Sequence, residues 1–197
     1  MRKKGNESME MLEDVKKAVE ILLNGGVVVY PTDTIWGLGC DATNEKAVKR
    51  IYEIKKREET KSMLVLLDSS AKLQTYVAEV PDMAWDLIEL TTKPLTIIYP
   101  GARNMASNLI SSDGTIGIRI TEEAFSKKLC EMFRKPIVST SANISGEKSP
   151  ATFSEISDEI IQAADYVVSF RRDENIPAKA SSIIKLGVNN EVEVIRE

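Results

Sequence analysis

The chain has 197 residues, with 26 Lys plus Arg against 30 Asp plus Glu, a formal charge of −4, 43% apolar and 28% charged residues. These values are ordinary for a globular protein; they exclude wholesale disorder, collagen-like structure and a disulfide scaffold, and the length suits one domain that buries its own core. There is no histidine, which removes Ser-His-Asp and Cys-His catalysis, a histidine base and His-ligated zinc or haem.

Residues 1–8 are polar and are expected to be flexible, so the core is expected over about 10–197 as a single domain. Leu12, Val15, Val19, Leu22 and Leu23 recur at helical spacing and predict a helix over 8–23 that Gly25 and Gly26 end. Val27 to Tyr30 reads as a buried strand closed by Pro31, followed by a polar loop, TDTIWGLGCDAT. Asn44 can cap a helix over about 45–56, with Ala47, Val48, Ile51 and Ile54 on one face. Met63 to Leu67 is a strand. Short helices are expected over 71–76 and from Pro81 to about Leu90, then strands over 95–99 and 115–120. A helix from about 122 to 133 precedes a strand that starts at Pro136 and runs into STSANISG. Residues 153–163 read as helical. Strands over 166–169, 182–186 and 192–195 close the chain, the last two as a hairpin. The alternation of helices and strands, with strands gathered at the end, implies an α/β fold: a single-domain, twisted, open mixed sheet flanked by helices.

The start of the chain lacks the apolar stretch of a secretory signal, and no run is long enough for a membrane helix; a cytoplasmic protein is expected. Cys40 and Cys130 lie far apart and form no CxxC, so they read as reduced thiols rather than a metal or redox pair.

Three polar segments border apolar strands: Pro31-Thr32-Asp33-Thr34, Gly114 to Arg119, and Ser139-Thr140-Ser141-Ala142-Asn143. Ligands of open α/β sheets favour the crevice beyond strand ends, where hydroxyls and backbone N–H groups suit phosphate or carboxylate oxygens. The same residues also suit ordinary Asx and Ser/Thr turns. A basic run follows the second helix: Lys46, Lys49, Arg50, Lys55, Lys56, Arg57 and Lys61, mixed with Glu45, Glu53, Glu58 and Glu59. Such a run is commonly a solvated, salt-bridged face. Lys55, Arg57 and Lys61, between helix end and strand, could instead reach the crevice, bind triphosphate and offset charge developing on phosphorus. The Walker A pattern is absent, which excludes a P-loop. Gly37-Leu38-Gly39-Cys40-Asp41-Ala42 matches a relaxed GxGxxA pattern, but the PTDTIW segment separates it from the preceding strand. The glycines are therefore read as a backbone bend rather than a dinucleotide turn.

In this order, GGVVVYPTDTIWGLGCDAT, IKKREETKSMLVLL, GTIGIRI and PIVSTSANISG resemble the YrdC-like family of threonylcarbamoyl-AMP synthases, from about residue 15 to the C-terminus. The resemblance implies a twisted open sheet around a large basic cavity. It also implies synthesis of L-threonylcarbamoyladenylate and pyrophosphate from L-threonine, bicarbonate and ATP with Mg²⁺ carried on the ATP phosphates, for modification of adenosine 37 in tRNA. The downstream partner would be a tRNA threonylcarbamoyl-transferase complex; weak tRNA or double-stranded RNA binding, and no membrane, complete the expectation. The alternative is a paralogue of the same fold that binds nucleotide or double-stranded RNA without synthase activity. By resemblance, Lys55, Arg57, Ser141 and Asn143 are the catalytic set. They join Lys61, Thr115, Ser139, Ser149 and Arg196 in ATP binding, while Thr32, Thr34, Arg119 and Ser181 bind threonine. No protein metal ligand is implied. Trp36 stands where the family commonly has Tyr and is expected to keep an aromatic wall. Lys55-Lys56-Arg57-Glu58 replaces the common KGRP, and Thr121 replaces a frequent proline.

Overall fold

The computed structural model describes residues 2–60, 63–174, 180–189 and 191–197. Its elements in chain order are α1 (Arg2–Leu23), β1 (Val28–Tyr30), β2 (Gly37–Gly39), α2 (Glu45–Ile54), β3 (Leu64–Leu67), α3 (Leu73–Tyr76), α4 (Asp82–Leu90), β4 (Leu95–Tyr99), β5 (Ile116–Ile120), α5 (Ala124–Phe133), β6 (Ile137–Ser141), α6 (Asp158–Ala163), β7 (Tyr166–Val167), β8 (Ser182–Leu186) and β9 (Val192–Arg196). The strands form one mixed sheet ordered β7-β1-β2-β6-β3-β5-β4-β8-β9. Pairs β1/β7, β3/β5 and β4/β8 are parallel and the other five antiparallel. The expected terminal hairpin is the antiparallel β8/β9 pair.

Local chemistry explains most boundaries. Asn44 caps α2, its Oδ1 accepting from Lys46 N at 3.1 Å and Ala47 N at 3.2 Å. Glu123 caps α5 in the same manner through Phe125 N and Ser126 N, so that helix starts later than residue 122. Helix α1 ends on Gly25 at φ +75, with Gly25 N bonded to Leu22 O and Gly26 N to Ile21 O. That two-bond closure needs a left-handed residue, which glycine supplies without a Cβ penalty. Helix α2 closes identically, with Lys56 at φ +49 in the glycine's place, Lys56 N on Glu53 O and Arg57 N on Tyr52 O.

Three expectations are corrected. The GxGxxA segment holds a strand, β2, not a bend: the Tyr30 ring lies across it, and a Cβ on Gly39 would come within 2.7 Å of Tyr30 Cε1 and 2.4 Å of Val138 O. Three residues with two glycines carry too little apolar signal to read as a strand. Residues 153–163 are a 3₁₀ turn, Phe153–Glu155, and then α6, separated at Ile156 and Ser157. Residues 71–76 divide likewise into a 3₁₀ turn, Ser70–Lys72, and α3. The strand expected to run into STSANISG does so, as far as Ser141, which pairs with Gly37 of β2.

Strands β1 and β6 are almost wholly apolar toward the core, with Val28, Val29, Tyr30, Ile137 and Val138 fully buried. Cys40 and Cys130 are buried free thiols, pushed up in pKa by burial, and so unreactive as nucleophiles.

Candidate functional site

Side chains alternate across a strand, and here the alternation makes a site. On β4 and β5, Thr96, Ile98, Gly117 and Arg119 line one cavity, while Leu95, Ile97, Tyr99, Ile118 and Ile120 line a second, apolar one. The register carries the first face across neighbouring strands: Gly117 lies beside Ile98, and Thr96 beside Ile183, which pairs with Arg196. Leu64 and Ser139 are paired on the other side and line the same cavity. Gly117 keeps its floor open, since an added Cβ would touch Leu64 Cβ at 3.4 Å and Thr96 Cγ2 at 3.5 Å.

The first cavity has a volume of about 280 Å³, at the lower end of small-molecule sites. Its wall includes Arg57, Arg119 and Arg196 together with the hydroxyls of Thr34, Ser139, Ser141, Ser149 and Ser181, and no carboxylate among the described residues. Three guanidiniums and several hydroxyls in a concave wall suit a ligand with several anionic oxygens. Arg119 is 3% exposed and its buried Nε–H has no acceptor among the described residues. Arg196 donates Nε–H to Ser181 O at 2.8 Å, and burial and the nearby Arg119 charge lower its pKa. Thr115 also lines the cavity, its hydroxyl donating to Asp113 Oδ1 at 2.6 Å.

Three expected site residues stand behind this wall. Lys55 is 1% exposed; its ammonium donates to Ser141 O at 2.5 Å and Asn143 O at 2.6 Å, and its own carbonyl accepts from Ser145 N at 2.8 Å. The lysine thus clamps the loop after β6. Burial, and then the Arg57 charge, lower its pKa to about 8. Asn143 donates Nδ2–H to Ile144 O and Glu147 O, leaving its buried Oδ1 without a partner. Thr32 donates its hydroxyl to Ile35 O at 2.7 Å and accepts from Thr34 N at 3.0 Å, which shapes the loop that presents Thr34. Lys61 lies outside the described residues. The structure therefore brings Arg57, Thr34, Thr115, Arg119, Ser139, Ser141, Ser149, Ser181 and Arg196 to one cavity.

The rest of the basic run divides. Arg50 pairs with Asp165 at 2.5 Å and Lys56 with Glu159 at 2.8 Å, as a solvated face would. Trp36 does not reach the cavity wall; it packs on Phe153, ring centroids 4.9 Å apart. Met63 and Thr140, which lie within the motif segments without an assigned role, and Thr96, outside them, also line the cavity. For Thr96 a signal existed, a single polar residue among Leu95, Ile97, Ile98 and Tyr99.

The family model named Sua5/yciO/yrdC, described as telomere recombination, matches residues 20–197. The chain belongs to this family. It is 34% identical over 157 residues to the threonylcarbamoyl-AMP synthase of Pseudoalteromonas translucida, covering 78% of this chain and 84% of that protein. Among solved structures, E. coli YciO superposes with a TM-score of 0.80 at 27% identity, covering 93% of this chain and 88% of that one. P. abyssi Sua5 complexed with L-threonine gives a TM-score of 0.78 at 26% identity; 87% of this chain matches, but only 50% of the Sua5 chain is spanned. The mixed α/β sheet is the family's fold. Among the described residues no helix is long and apolar enough to cross a membrane, and no group of three or more Cys, Asp or Glu is placed to hold a metal ion.

Proposed function

We propose that this family member is a threonylcarbamoyl-AMP synthase, making L-threonylcarbamoyladenylate and pyrophosphate from L-threonine, bicarbonate and ATP for tRNA modification. The observation that carries this reading is the wall of three arginines and converging hydroxyls, with no carboxylate among the described residues, in a chain whose relatives include named synthases.

The threonine amine adds to the bicarbonate carbon and water leaves, giving a carbamate; a carbamate oxygen then attacks the α-phosphorus as the bond to pyrophosphate breaks. No protein nucleophile is needed, which fits a chain without histidine whose thiols are buried. The protein supplies placement and charge. Arg119, with Thr34 and Ser181, receives the amino acid; the unused Nε–H of Arg119 is a donor for its carboxylate. Arg57 and Arg196, with Thr115, Ser139, Ser141 and Ser149, take the nucleotide. Lys55, Asn143 and Thr32 act by fixing the loops that present these groups. The donor set of the wall fits Mg²⁺ carried on phosphate oxygens rather than on protein carboxylates. When bound with ATP the ion would offset phosphate charge. A cytoplasmic setting, transfer of product to a tRNA threonylcarbamoyl-transferase complex, and weak tRNA contact belong to the same reading.

The test is pyrophosphate release from ATP, Mg²⁺ and bicarbonate, with and without L-threonine. Release should depend on both threonine and bicarbonate. Arg57→Ala should lower it by about 10²-fold, the scale of one lost transition-state donor. Release that ignores threonine, or an unaffected Arg57→Ala variant, would overturn the reading.

A further inference from the structure

The three arginines of the wall are not equivalent. Arg119 is buried, and its Nη2 lies 3.1 Å from Asp33 Oδ1. A buried cation without a countercharge is costly, so this contact matters to where the guanidinium rests. Asp33 approaches from outside the cavity, where it lines the second, apolar one beside Ile118 and Ile120. The pair attracts through charge rather than an aligned hydrogen bond, for among the described residues Asp33 Oδ1 takes part in none; Arg119 Nε is likewise unpartnered. Asp33 therefore anchors Arg119 while leaving donors for a ligand. Burial raises the Asp33 carboxyl pKa against the pull of Arg119, as expected of a carboxylate enclosed for its neighbour's sake. Arg196, which feels the Arg119 charge, donates to neutral oxygens of Ser181.

The cavity thus carries one guanidinium backed by a carboxylate, and another backed by neutral groups. Repulsion from a fixed carboxylate grows with the ligand's charge. A singly charged carboxylate tolerates the neighbourhood of Asp33 far better than a triphosphate does. We propose that Asp33 is a positioning and specificity-determining residue that holds Arg119 for the amino-acid carboxylate and disfavours a polyphosphate there. The proposal rests on the synthase reading, and deepens it by naming the residue that reserves Arg119 for the amino acid.

The experiment measures threonine and inorganic pyrophosphate binding to the full chain by calorimetry, alongside steady-state kinetics, for the wild type, Asp33→Asn and Asp33→Glu. In Asp33→Asn the threonine Kd and KM should rise about tenfold, the scale of one misplaced charge-assisted contact. Pyrophosphate should bind more tightly, and kcat should move far less than the threonine KM. Asp33→Glu should recover most of the threonine affinity. A purely structural role would weaken threonine and ATP together, and that result overturns the proposal, as does unchanged threonine binding. Should Asp33→Asn fold poorly, the comparison of Arg119→Gln with Arg119→Gln/Asp33→Asn decides. If Asp33 acts through Arg119, the second substitution adds no further loss of threonine affinity; a further loss refutes it. A wild type that neither binds threonine nor releases pyrophosphate in its presence would instead sink the synthase reading.

Discussion

The residues that face the cavity and those immediately behind it come from the same strands and often from adjacent positions, yet they obey different rules. Gly117 faces the cavity and Ile118 faces away; Arg57 lines the cavity, while Lys55, two residues earlier, is buried behind it. In front, space and unspent donors matter. Behind, packing and satisfied hydrogen bonds matter, because a buried group without contacts costs stability. Substitutions on the two sides should therefore fail in opposite ways.

The largest effect should come from Gly117→Leu. The Cβ itself meets ordinary contacts, but the rest of the side chain must project into about 280 Å³ of cavity. Threonine-dependent pyrophosphate release should fall by at least about 10²-fold, a drop comparable to losing a transition-state donor, with little change in the melting temperature. Ile118→Ala, one position along, should do the reverse. Ile118 is 2% exposed, and truncating such a residue costs about 2–5 kcal/mol, read by urea unfolding, while activity per folded molecule persists. Equal loss of activity in both variants would erase the distinction between the two faces.

Charge sharpens the contrast. Lys55 holds two carbonyls behind the wall, and its pKa in the fold is about 8 against an ordinary 10.5. Below about pH 8 the lysine is charged in both folded and unfolded states, and the fold bears the cost of its burial. Between about pH 8 and 10.5 the folded protein sheds the proton first, so stability from this group rises with pH. The neutral amine still offers two N–H donors for the two carbonyls. The unfolding free energy of the wild type should increase relative to Lys55→Met across that interval, and a flat difference would contradict the burial of the ammonium.

Much of this organisation was legible in the sequence, for physical reasons. Asn44 stands where a cap belongs, Gly25 marks a helix end, and a short β-branched run such as Val27 to Tyr30 suits a buried strand. The positions of Arg57, Arg119, Ser139 and Ser141 followed from motif residues beside strands. What was not legible depends on tertiary pairing. Strand β2 exists because the Tyr30 ring packs over two glycines and Ser141 pairs with Gly37, contacts no local pattern encodes. The turning of Lys55 and Asn143 to the back of the wall, and of Trp36 toward Phe153, likewise depends on where a distant loop comes to lie.

The smallest predicted effect lies between Lys55 and Arg57, on the outside of the same turn. Lys56 occupies the left-handed position of the α2 closure at φ +49, where α1 uses Gly25 at φ +75 with the same pair of hydrogen bonds. A side chain at positive φ crowds its own backbone, and glycine relieves that strain. Lys56 does forfeit its contact with Glu159 on substitution, but that pair is exposed on both sides and such pairs contribute little. Glycine also gains freedom in the unfolded chain, which offsets part of the relief. Lys56→Gly should therefore raise the melting temperature by a few degrees at most and leave threonine-dependent pyrophosphate release unchanged, since Lys55 and Arg57 keep their directions. A lowered melting temperature would mean that the Glu159 contact outweighs the strain. A loss of activity at unchanged stability would mean that the stiffness of this one residue, rather than the turn's hydrogen bonds, sets which of its neighbours faces the cavity and which stands behind it.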